Sequence, residues 1–331
     1  MKGKGIRVIG RGLSLEVDGE RLIISRGSRV IREVSISEIS RVILESKGVS
    51  ISSNAIDLML RHGIEFIVMR KGRFVGKLSP MKKEVPVNIK LAQYEVMNNM
   101  LGLELAKAFV IGKLQNQSDL LTSLVKGGHN REEVLDCAES IRSLIPAVNE
   151  INGSPETVKG RILSIEREAD EIYWSSIALV IPDWVGFDGR KCEEPEDPIN
   201  LSLNFLYGTL LSEVQLVLES TGFEPFLGFL HVPDSRRAAL AEDFMMEFRQ
   251  PVVDRAVLSL VKEMRDFTRN NRLKPRARKR LLDTYEDMMN MKVIFKGRYL
   301  PIRQHMILQA RRLASVVMGK SGAYDPFRVH W

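Results

Sequence analysis

The sequence contains few cysteines and no long apolar run. Cys137 and Cys192 are the only cysteines among its 331 residues, and they lie far apart in the chain. This count excludes both a disulfide framework and a four-cysteine zinc site. The longest apolar runs are much shorter than the ~20 residues that a membrane-spanning helix needs, and the first residues lack the pattern of a signal peptide. We therefore expect a cytoplasmic protein without a membrane segment.

Acidic residues are scarce in the last part of the chain. From Arg255 to Trp331 there are 6 Asp and Glu against 18 Lys and Arg, whereas the preceding part has 36 against 31. The net charge of the whole chain is only +7, so the positive charge is concentrated at this end. A basic segment on a near-neutral body is typical of a protein that binds the phosphate backbone of nucleic acid.

The hydrophobic pattern changes its period near residue 80. Before this point, short alternating runs such as Leu13–Val17 are separated by glycine-containing turns, which predicts a β-rich domain. After it, apolar residues recur at helical spacing, as in the long helix predicted from Lys90 to Asn116. The predicted fold class is α+β, with a small N-terminal β-rich domain over residues 1–80, a linker at 81–86 and a larger all-α domain over 87–331.

One predicted helix carries two carboxylates close to a histidine. Apolar residues recur every four positions from Leu240 to Phe248 and define the buried stripe of an amphipathic helix. Asp243 and Glu247 then lie one turn apart on another face of that helix, and His231 ends the apolar run that precedes it. A carboxylate beside a histidine can bind a divalent metal ion. Taken alone, these residues favour the simpler interpretation of a core histidine beside a solvated acidic turn.

A third carboxylate, Glu166, lies in a helix predicted from about Pro155 to Ser176. Glu166 shares one helix face with Ala169 and Tyr173, which indicates that this face is buried. A buried carboxylate needs a cation or hydrogen-bond donors. Helices also carry many glutamates that have no function, so the pattern alone does not select Glu166 from its acidic neighbours.

Five short motifs follow one another along the chain. They are the helix that carries Glu166, Asp197-Pro198-Ile199-Asn200, Gly228-Phe229-Leu230-His231, the Asp-x-x-x-Glu-Phe-Arg segment from Asp243 to Arg249, and Tyr324-Asp325-Pro326-Phe327 with Trp331. The order of these motifs resembles that of CRISPR-associated protein one, the integrase of CRISPR adaptation. The resemblance extends from end to end of the chain, and five ordered motifs are far more specific than any one of them.

The resemblance implies a metal-dependent DNA endonuclease and integrase that inserts short foreign DNA fragments, or spacers, into a CRISPR array for antiviral defence. In the family's reaction, the 3′-hydroxyl of a DNA fragment attacks a phosphodiester at a repeat boundary, a transesterification; with water as the nucleophile, the same site is an endonuclease. By the same resemblance Glu166, His231 and Asp243 are the catalytic residues and metal ligands. Two carboxylates and one imidazole without a thiolate suit Mg²⁺ or Mn²⁺.

The resemblance also implies partners. The family's N-terminal domain is a dimerisation platform, which predicts a homodimer through residues 1–80. Two such dimers bridge to a dimer of CRISPR-associated protein two in the family. The expected partners are therefore a second copy of the chain, CRISPR-associated protein two, and DNA that is duplex, branched or a prespacer.

Further residues are assigned to the substrate groove. Asn200 and Tyr207 lie on the helix that lines the family's active-site groove, although a packed aromatic is an equally good interpretation of Tyr207. Arg249 either neutralises a phosphate or orients Asp243. Glu247 either supports the metal ligands or is structural. The sequence leaves these alternatives open.

Two segments are harder to interpret. The segment Lys113–Gln117 resembles a recurrent family segment and either contacts DNA or is a solvated helix surface. The family often has a basic stretch before its Asp-Pro-x-Asn motif, whereas here Arg190-Lys191 is followed by the acidic loop 193–196. This departure weakens the expectation that the loop binds phosphates.

The segment Arg272–Arg280 contains six cations and no acidic residue. Because like charges repel, so dense a run favours a bound polyanion over a solvated surface. The predicted nucleic-acid-binding residues are Arg249, Lys274, Arg276, Arg278, Lys279, Arg280, Arg311 and Arg312.

Two other functions remain compatible with the sequence. A DNA-binding scaffold without catalysis would have packed polar residues in place of the metal ligands and would bind DNA without Mg²⁺. A transposon-borne integrase of the same fold would share the chemistry, although such proteins usually carry an additional C-terminal DNA-binding module. The sequence does not specify the CRISPR repeat, the spacer length or the preferred metal.

Overall fold

Alternating apolar residues form two small sheets in the first part of the chain. The computed structural model describes residues 4–70, 73–80, 87–125, 130–232 and 237–330, and the chain divides into the units Met1–Glu84 and Val85–Trp331. The linker predicted at 81–86 lies outside the described residues. The strands of the first unit are β1 Lys4–Val8, β2 Leu13–Asp18, β3 Arg21–Arg26, β4 Arg29–Ser35, β5 Ile39–Leu44, β6 Val49–Ile51, β7 Glu65–Arg70 and β8 Arg73–Leu78.

The two sheets differ in their strand directions. One has the order β1-β5-β7-β8, in which β5 pairs in parallel with β1 and β7, and β8 pairs antiparallel with β7. The other has the order β4-β3-β2-β6, in which only the β2–β6 pair is parallel. Helix α1 (Ser53–Arg61) begins where the Ser52 side chain accepts a hydrogen bond from the Ala55 N–H at 3.1 Å. These elements enclose a core of their own.

The second unit is mostly helical, as predicted. Its helices are α2 Val87–Val96, α3 Met100–Leu124, α4 Arg131–Asn149, α5 Pro155–Val180, α6 Pro198–Thr221, α7 Ala239–Met245, α8 Arg255–Ser259, α9 Pro275–Asn290 and α10 Ile302–Val317. Helices α3, α5, α6 and α7 contribute fully buried side chains to one continuous apolar core. This core holds the site residues described below.

The single helix predicted from Lys90 to Asn116 is in fact two helices. Asn99 is extended, with φ −113° and ψ −177°, and its side-chain oxygen accepts hydrogen bonds from the N–H groups of Leu101 at 2.8 Å and Gly102 at 3.2 Å. An Asn in this position is a favourable N-cap that starts a new helix. Apolar spacing alone does not detect the break because both helices keep the same period.

A β-hairpin interrupts the helices where only helix was predicted. Strands β9 (Lys292–Phe295) and β10 (Arg298–Pro301) pair antiparallel. Lys296 and Gly297 form the turn, with φ of 49° and 72°. Two consecutive residues with positive φ are typical of a type I′ hairpin turn, and glycine at the second position accommodates this conformation. The second unit is therefore mostly helical rather than all-α.

Helix α6 is long and strongly apolar. It is long and apolar enough to cross a membrane by length and composition, but 67% of its most apolar window is buried inside the protein. No other helix in the described ranges meets the same criteria. The apolar residues of α6 belong to the core of the second unit.

The helix predicted around Asp243 is divided into three segments. Helix α7 ends at Met245, a 3-10 turn spans Met246–Phe248, and a π-helix spans Arg249–Asp254. Pro251 has no N–H to donate to the carbonyl of Glu247, as an α-helix would require. The side chain of Asn116 donates to that carbonyl instead, at 3.1 Å. The apolar stripe is buried as predicted, but Asp243 and Glu247 do not share the face of one regular helix.

Candidate active site

Asp243 is fully buried and holds the segment that contains His231. Its Oδ2 accepts hydrogen bonds from the N–H groups of Phe229 at 2.7 Å and Leu230 at 2.9 Å. Its Oδ1 accepts one from the His231 N–H at 3.2 Å and lies 2.5 Å from the His231 Nδ1. With the Nδ1 proton directed at the carboxylate, Nε2 is the ring nitrogen that carries the lone pair, an arrangement that is common among metal-binding histidines.

Gly228 allows the backbone to approach Asp243 this closely. A Cβ at this position would lie 2.7 Å from the carbonyl oxygen of His231 and 2.8 Å from the Asp243 Oδ2. It would also lie 2.9 Å from the Cβ of Ala239. Any larger residue would therefore separate the His231 segment from the carboxylate that fixes it.

Glu166 lies in a separate charged cluster on helix α5. The buried ammonium group of Lys113 donates to the Glu166 Oε1 and lies 2.7 Å from the Asp170 Oδ1. Gln117 donates to the same Asp170 oxygen at 2.7 Å. The Glu166 side chain is only 15% exposed. Glu166 is therefore largely buried and paired with a cation, as the helix pattern predicted.

The polar residues of the segment Lys113–Gln117 are buried rather than solvated. Lys113 is 1% exposed, while Asn116 is 1% and Gln117 0% exposed. Each makes hydrogen bonds inside the protein. The solvated alternative is wrong because these polar side chains satisfy buried groups of other elements, a requirement that one helix sequence does not reveal.

Lys159 on helix α5 is influenced by the charge of Asp243. It lies on α5 seven residues before Glu166, which places both side chains on the same face. Burial lowers the pKa of Lys159, while the negative charge of Asp243 acts in the opposite direction. Lys159 therefore lies within the electrostatic reach of Asp243.

A cavity lies beside the Lys113–Asp170 pair. It has a volume of about 190 Å³ and is lined by Lys113, Asp170, Trp174, Arg190, Cys192, Tyr207, Met245, Arg249 and Gln250. Lys113 and Asp170 belong to the Glu166 cluster, and Met245 and Arg249 follow Asp243 closely in sequence. Three cations and one carboxylate line the cavity, so it favours an anionic ligand.

Tyr207 lies between two arginines at the wall of this cavity. The guanidinium carbons of Arg190 and Arg249 are 5.4 Å and 5.6 Å from the centre of its ring. The Tyr207 hydroxyl donates to Asp254, which also accepts from Tyr173 at 2.9 Å. Burial raises the pKa of Asp254 to about 6, although both tyrosine hydrogen bonds and the two arginines favour its charged form.

Arg249 has a donor that remains available. Its Nε and the Oε1 of Gln250 are buried and have no hydrogen-bond partner within the described residues. The π-helix that begins at Arg249 places both side chains at the cavity, and π-helical turns are frequent at functional sites. Of the two alternatives for Arg249, phosphate contact has the support of this geometry.

Asn200 has a structural role in this arrangement. Its Oδ1 accepts hydrogen bonds from Arg190 at 3.0 Å and from the Lys191 N–H at 2.9 Å, and its amide donates to the Gly189 carbonyl at 2.8 Å. Asn204 accepts a further bond from Arg190 at 2.6 Å. Asn200 therefore fixes the loop that directs Arg190 towards Tyr207.

Glu247 anchors the C-terminal segment. It accepts hydrogen bonds from the Tyr324 hydroxyl at 2.5 Å, the Phe327 N–H and the Gln309 amide at 3.3 Å. Burial raises the pKa of Glu247 to about 7, although these bonds favour its charged form. Asn116 binds the same segment, because it donates to the Phe327 carbonyl at 2.9 Å. The contacts of Glu247 support the structural alternative.

The predicted DNA-binding cations are not equivalent. Lys274 pairs with Asp266, and Arg280 forms two hydrogen bonds with Glu263 at 2.8 Å and 3.0 Å. In contrast, three other cations of helix α9 form no ion pair within the part of the chain that the structure describes. They are Arg276, Arg278 and Lys279. Arg311 is exposed, and Arg312 donates to the Ala323 carbonyl at 3.4 Å.

Sequence reasoning missed several residues of this region. Asp170 gave no distinctive signal, because it is one polar residue on a long helix, and Lys113 was noted only as part of the segment Lys113–Gln117. Arg190 was discounted on account of the acidic loop after it. Asp254 had a usable signal: it is a lone acid that ends the apolar run Pro251-Val252-Val253, which indicates a buried carboxylate with specific partners.

Comparisons with known proteins show the family of this chain. The sequence model of the family "CRISPR associated protein Cas1" matches residues 6–287. The chain is 31% identical over 347 residues to a CRISPR-associated endonuclease Cas1 of Archaeoglobus fulgidus, covering 98% of this chain and 99% of that protein.

Solved structures share the fold. A casposase bound to its integration product has a TM-score of 0.79 at 24% identity, over 100% of this chain and 94% of that one. A chain of a Cas6-RT-Cas1–Cas2 complex has a TM-score of 0.78 at 20% identity, over 98% of this chain and 36% of that one. The ordered motifs, the two-unit fold and the family match lead to one conclusion: this chain belongs to the Cas1 family of CRISPR-associated proteins.

Proposed function

We propose that this chain is a metal-dependent DNA endonuclease and integrase that joins the 3′-hydroxyl of a short DNA fragment to a phosphodiester of a CRISPR array. The observation that carries the proposal is a cationic cavity lined by Lys113 and Asp170, which belong to the Glu166 cluster, and by Met245 and Arg249, which follow Asp243 closely in sequence. Family membership supports the proposal, because the curated relative from Archaeoglobus fulgidus is named an endonuclease.

The residues that would hold a divalent ion are Glu166, His231 and Asp243. No group of three such side chains lies close enough to bind one ion within the ranges that the structure describes. The donor chemistry nevertheless fits, because Glu166 already binds a cation, the ammonium of Lys113, and the Nδ1 contact leaves the Nε2 lone pair of His231 for a metal. A bound Mg²⁺ or Mn²⁺ would polarise the scissile phosphate and stabilise the leaving oxygen.

The other side chains position the DNA. Arg190, Arg249 and Lys113 line the cavity and would neutralise a phosphodiester there. The unpaired Nε of Arg249 supplies a hydrogen-bond donor. Asp243 keeps the His231 ring in one orientation, while Asn200 holds Arg190. The cations would therefore bind the DNA, and the buried carboxylate of Asp243 would orient the His231 ring.

We also propose the partners of the family for this chain. A Cas6-RT-Cas1–Cas2 complex contains a chain of the same fold, so we infer that Cas2 binds here as well. A homodimer through the first unit is supported by edge strand β4, on which Val30 is 55% and Ile31 53% exposed. A row of unpaired backbone groups with apolar side chains is a surface on which a second copy can add.

A strand-transfer assay tests the chemistry. Glu166→Gln and His231→Ala should each abolish joining and cleavage of branched or supercoiled DNA across a titration of Mg²⁺ and Mn²⁺. Asp243→Ala should do the same but also lower the stability of the fold, because it leaves three buried N–H groups without an acceptor, each at a cost of ~1–3 kcal/mol. Retention of joining by Glu166→Gln would contradict the site assignment.

The same assay separates the alternatives. A scaffold without catalysis would bind DNA equally well in EDTA and would join nothing in either metal. A transposon-borne integrase of this fold would join the ends of its own element in preference to prespacer DNA. Efficient joining of a short fragment at a CRISPR repeat boundary excludes both.

A further inference from the structure

The β9–β10 hairpin, which the proposed chemistry does not use, presents an unusual outer surface. Ile294 and Tyr299 are directly opposed across the two strands, and their side chains are 70% and 63% exposed. The Lys292 ammonium lies 5.8 Å from the centre of the Tyr299 ring. An exposed aromatic–aliphatic pair of this kind has no role in the core, so it favours contact with a ligand.

The opposite side of the hairpin forms a cavity with α10. It has a volume of about 400 Å³ and is lined by Phe295, Lys296, Arg298, His305, Leu308, Gln309 and Arg312. The Nε of Arg312 is buried and has no hydrogen-bond partner in the described part of the protein. The Nε2 of His305 lies 3.1 Å from the Val293 carbonyl. The other cations that line this cavity are Lys296 and Arg298.

The charge of this region selects the ligand. Residues 292–301 include three cations and no acidic residue. One acid lies nearby, Asp325, and it pairs with Lys296. A protein partner would need a matching acidic surface, whereas a nucleic acid supplies phosphates for the cations and a flat base for the tyrosine. Aromatic stacking beside a cationic groove is the usual way in which proteins bind single strands.

We propose that the β9–β10 hairpin is a second DNA-binding site, which stacks an unpaired base on Tyr299 and binds the adjacent phosphate through Lys292 on the same face of the hairpin. An unpaired base is required because the faces of bases inside a duplex are already stacked on their neighbours. The site would therefore bind a single-stranded or frayed end of a DNA substrate. The inference rests on the proposed function only in taking DNA as the ligand.

Anisotropy titrations of the full chain in EDTA test this site without catalysis. The probes are a labelled single strand and the blunt duplex of the same sequence. Tyr299→Leu should weaken binding of the single strand by roughly 10-fold, within the range expected for one stacked base. The affinity for the duplex should change by less than about twofold. Tyr299→Phe, which keeps the ring, should restore single-strand affinity. Tyr94→Leu is the matched control, because Tyr94 is also exposed, at 58%.

The phosphate contact has its own measurement. Lys292→Gln should reduce the slope of log affinity against log salt on the single strand by about 0.7, the value for one phosphate. Arg131→Gln, at an exposed arginine on α4, should leave the slope unchanged. If Tyr299→Leu binds the single strand as the wild type does, or if single strand and duplex weaken equally, the inference is wrong.

A crosslinking experiment does not depend on any variant being folded. The wild-type chain is irradiated with a single strand that contains 5-iodouracil, and the crosslinked peptide is identified by mass spectrometry. A crosslink in residues 292–301 supports the site, and crosslinks confined to other segments overturn it. The proposed enzymatic function fails separately, if Glu166→Gln still joins DNA.

Discussion

At the scale of single residues, buried carboxylates determine the local geometry of the site. Asp243 replaces the missing hydrogen-bond partners of three consecutive N–H groups and also contacts the His231 ring. Glu247 does the same for the C-terminal segment, and Asp254 for two tyrosines. Each lies within the same short stretch of chain, but each fixes a different element.

Gly228 provides a direct test of the close packing around Asp243. Gly228→Ala should lower the free energy of unfolding by ~1–3 kcal/mol, the usual cost of an inserted group in a packed site, and should strongly reduce strand transfer. The backbone carbonyl of His231, 2.7 Å from the new Cβ, cannot move without displacing the histidine. Urea denaturation and the joining assay measure the two effects.

Gly160→Ala is the matched control for this change. Gly160 lies within helix α5, and no atom stands within 4 Å of the position of its Cβ. Because alanine favours helix over glycine, this variant should be more stable by ~0.5–1 kcal/mol and keep its activity. Equal behaviour of the two variants would show that the space at Gly228 is unimportant.

Glu247 should make stability depend on pH. Burial raises its pKa from 4.5 to about 7, so the folded protein retains a proton that the unfolded chain loses at lower pH. The contribution of Glu247 to stability therefore falls as the pH rises from 4.5 to about 7 and stays low above that range. Glu247→Gln removes this dependence.

We expect the wild type and Glu247→Gln to differ in how their free energy of unfolding depends on pH. Relative to the wild type, the free energy of unfolding of Glu247→Gln should rise by a few kcal/mol between pH 4.5 and pH 7. Urea titrations at several pH values measure it, and Glu168→Gln, at an exposed position of α5, serves as the control. Parallel curves for wild type and Glu247→Gln would contradict the prediction.

At the scale of elements, the ion pairs of helix α9 separate its cations into two groups. Arg276, Arg278 and Lys279 are available for phosphates, whereas Lys274 and Arg280 are paired with Asp266 and Glu263. Replacing the first three by Gln should make the slope of log affinity against log salt on duplex DNA shallower by roughly two to three units. The loss should not depend on DNA sequence.

The paired cations of the same helix provide the comparison. Lys274→Gln with Arg280→Gln should change the slope by less per residue, because each cation must leave an acidic partner before it can bind a phosphate. Binding isotherms at several salt concentrations give both slopes. An unchanged slope in the triple variant would show that α9 is a solvated surface or binds an acidic partner.

At the scale of the whole molecule, the two units have separate cores and separate proposed roles. The core of the first unit is enclosed by its own strands and α1, and the core of the second by its helices. The second unit carries the site residues, while the first has no proposed catalytic residue. The first unit is therefore free to serve as an assembly surface.

A charged substitution on β4 tests this role in the full chain. Val30→Lys with Ile31→Lys should convert a dimer into a monomer, because two apolar side chains that are 55% and 53% exposed would carry like charges at the interface. Light scattering after size exclusion measures the mass. Leu91→Lys, at a position of α2 that is 59% exposed, is the control, and a dimer that survives the β4 change would place the interface elsewhere.

Local patterns sufficed to predict much of this protein. The change of period near residue 80 separated strands from helices, and the buried stripe around Leu240 and Phe244 was correct, because burial imposes a regular spacing on each element. The ordered motifs around Glu166, His231 and Asp243 identified the family. The concentration of positive charge after Arg255 was also evident from the sequence, because charged residues can be counted without knowledge of the fold.

Only the tertiary structure decided how the polar residues pair. Nothing local indicates that Lys113 neutralises Glu166, that Asn116 satisfies the carbonyl freed by Pro251, or that Glu247 holds the C-terminal segment. Lys113 and Glu166 are 53 residues apart along the chain, and Asn116 and Glu247 are 131 residues apart. A hydrogen bond between buried groups depends on which elements meet in space, and one sequence position carries no record of its distant neighbours.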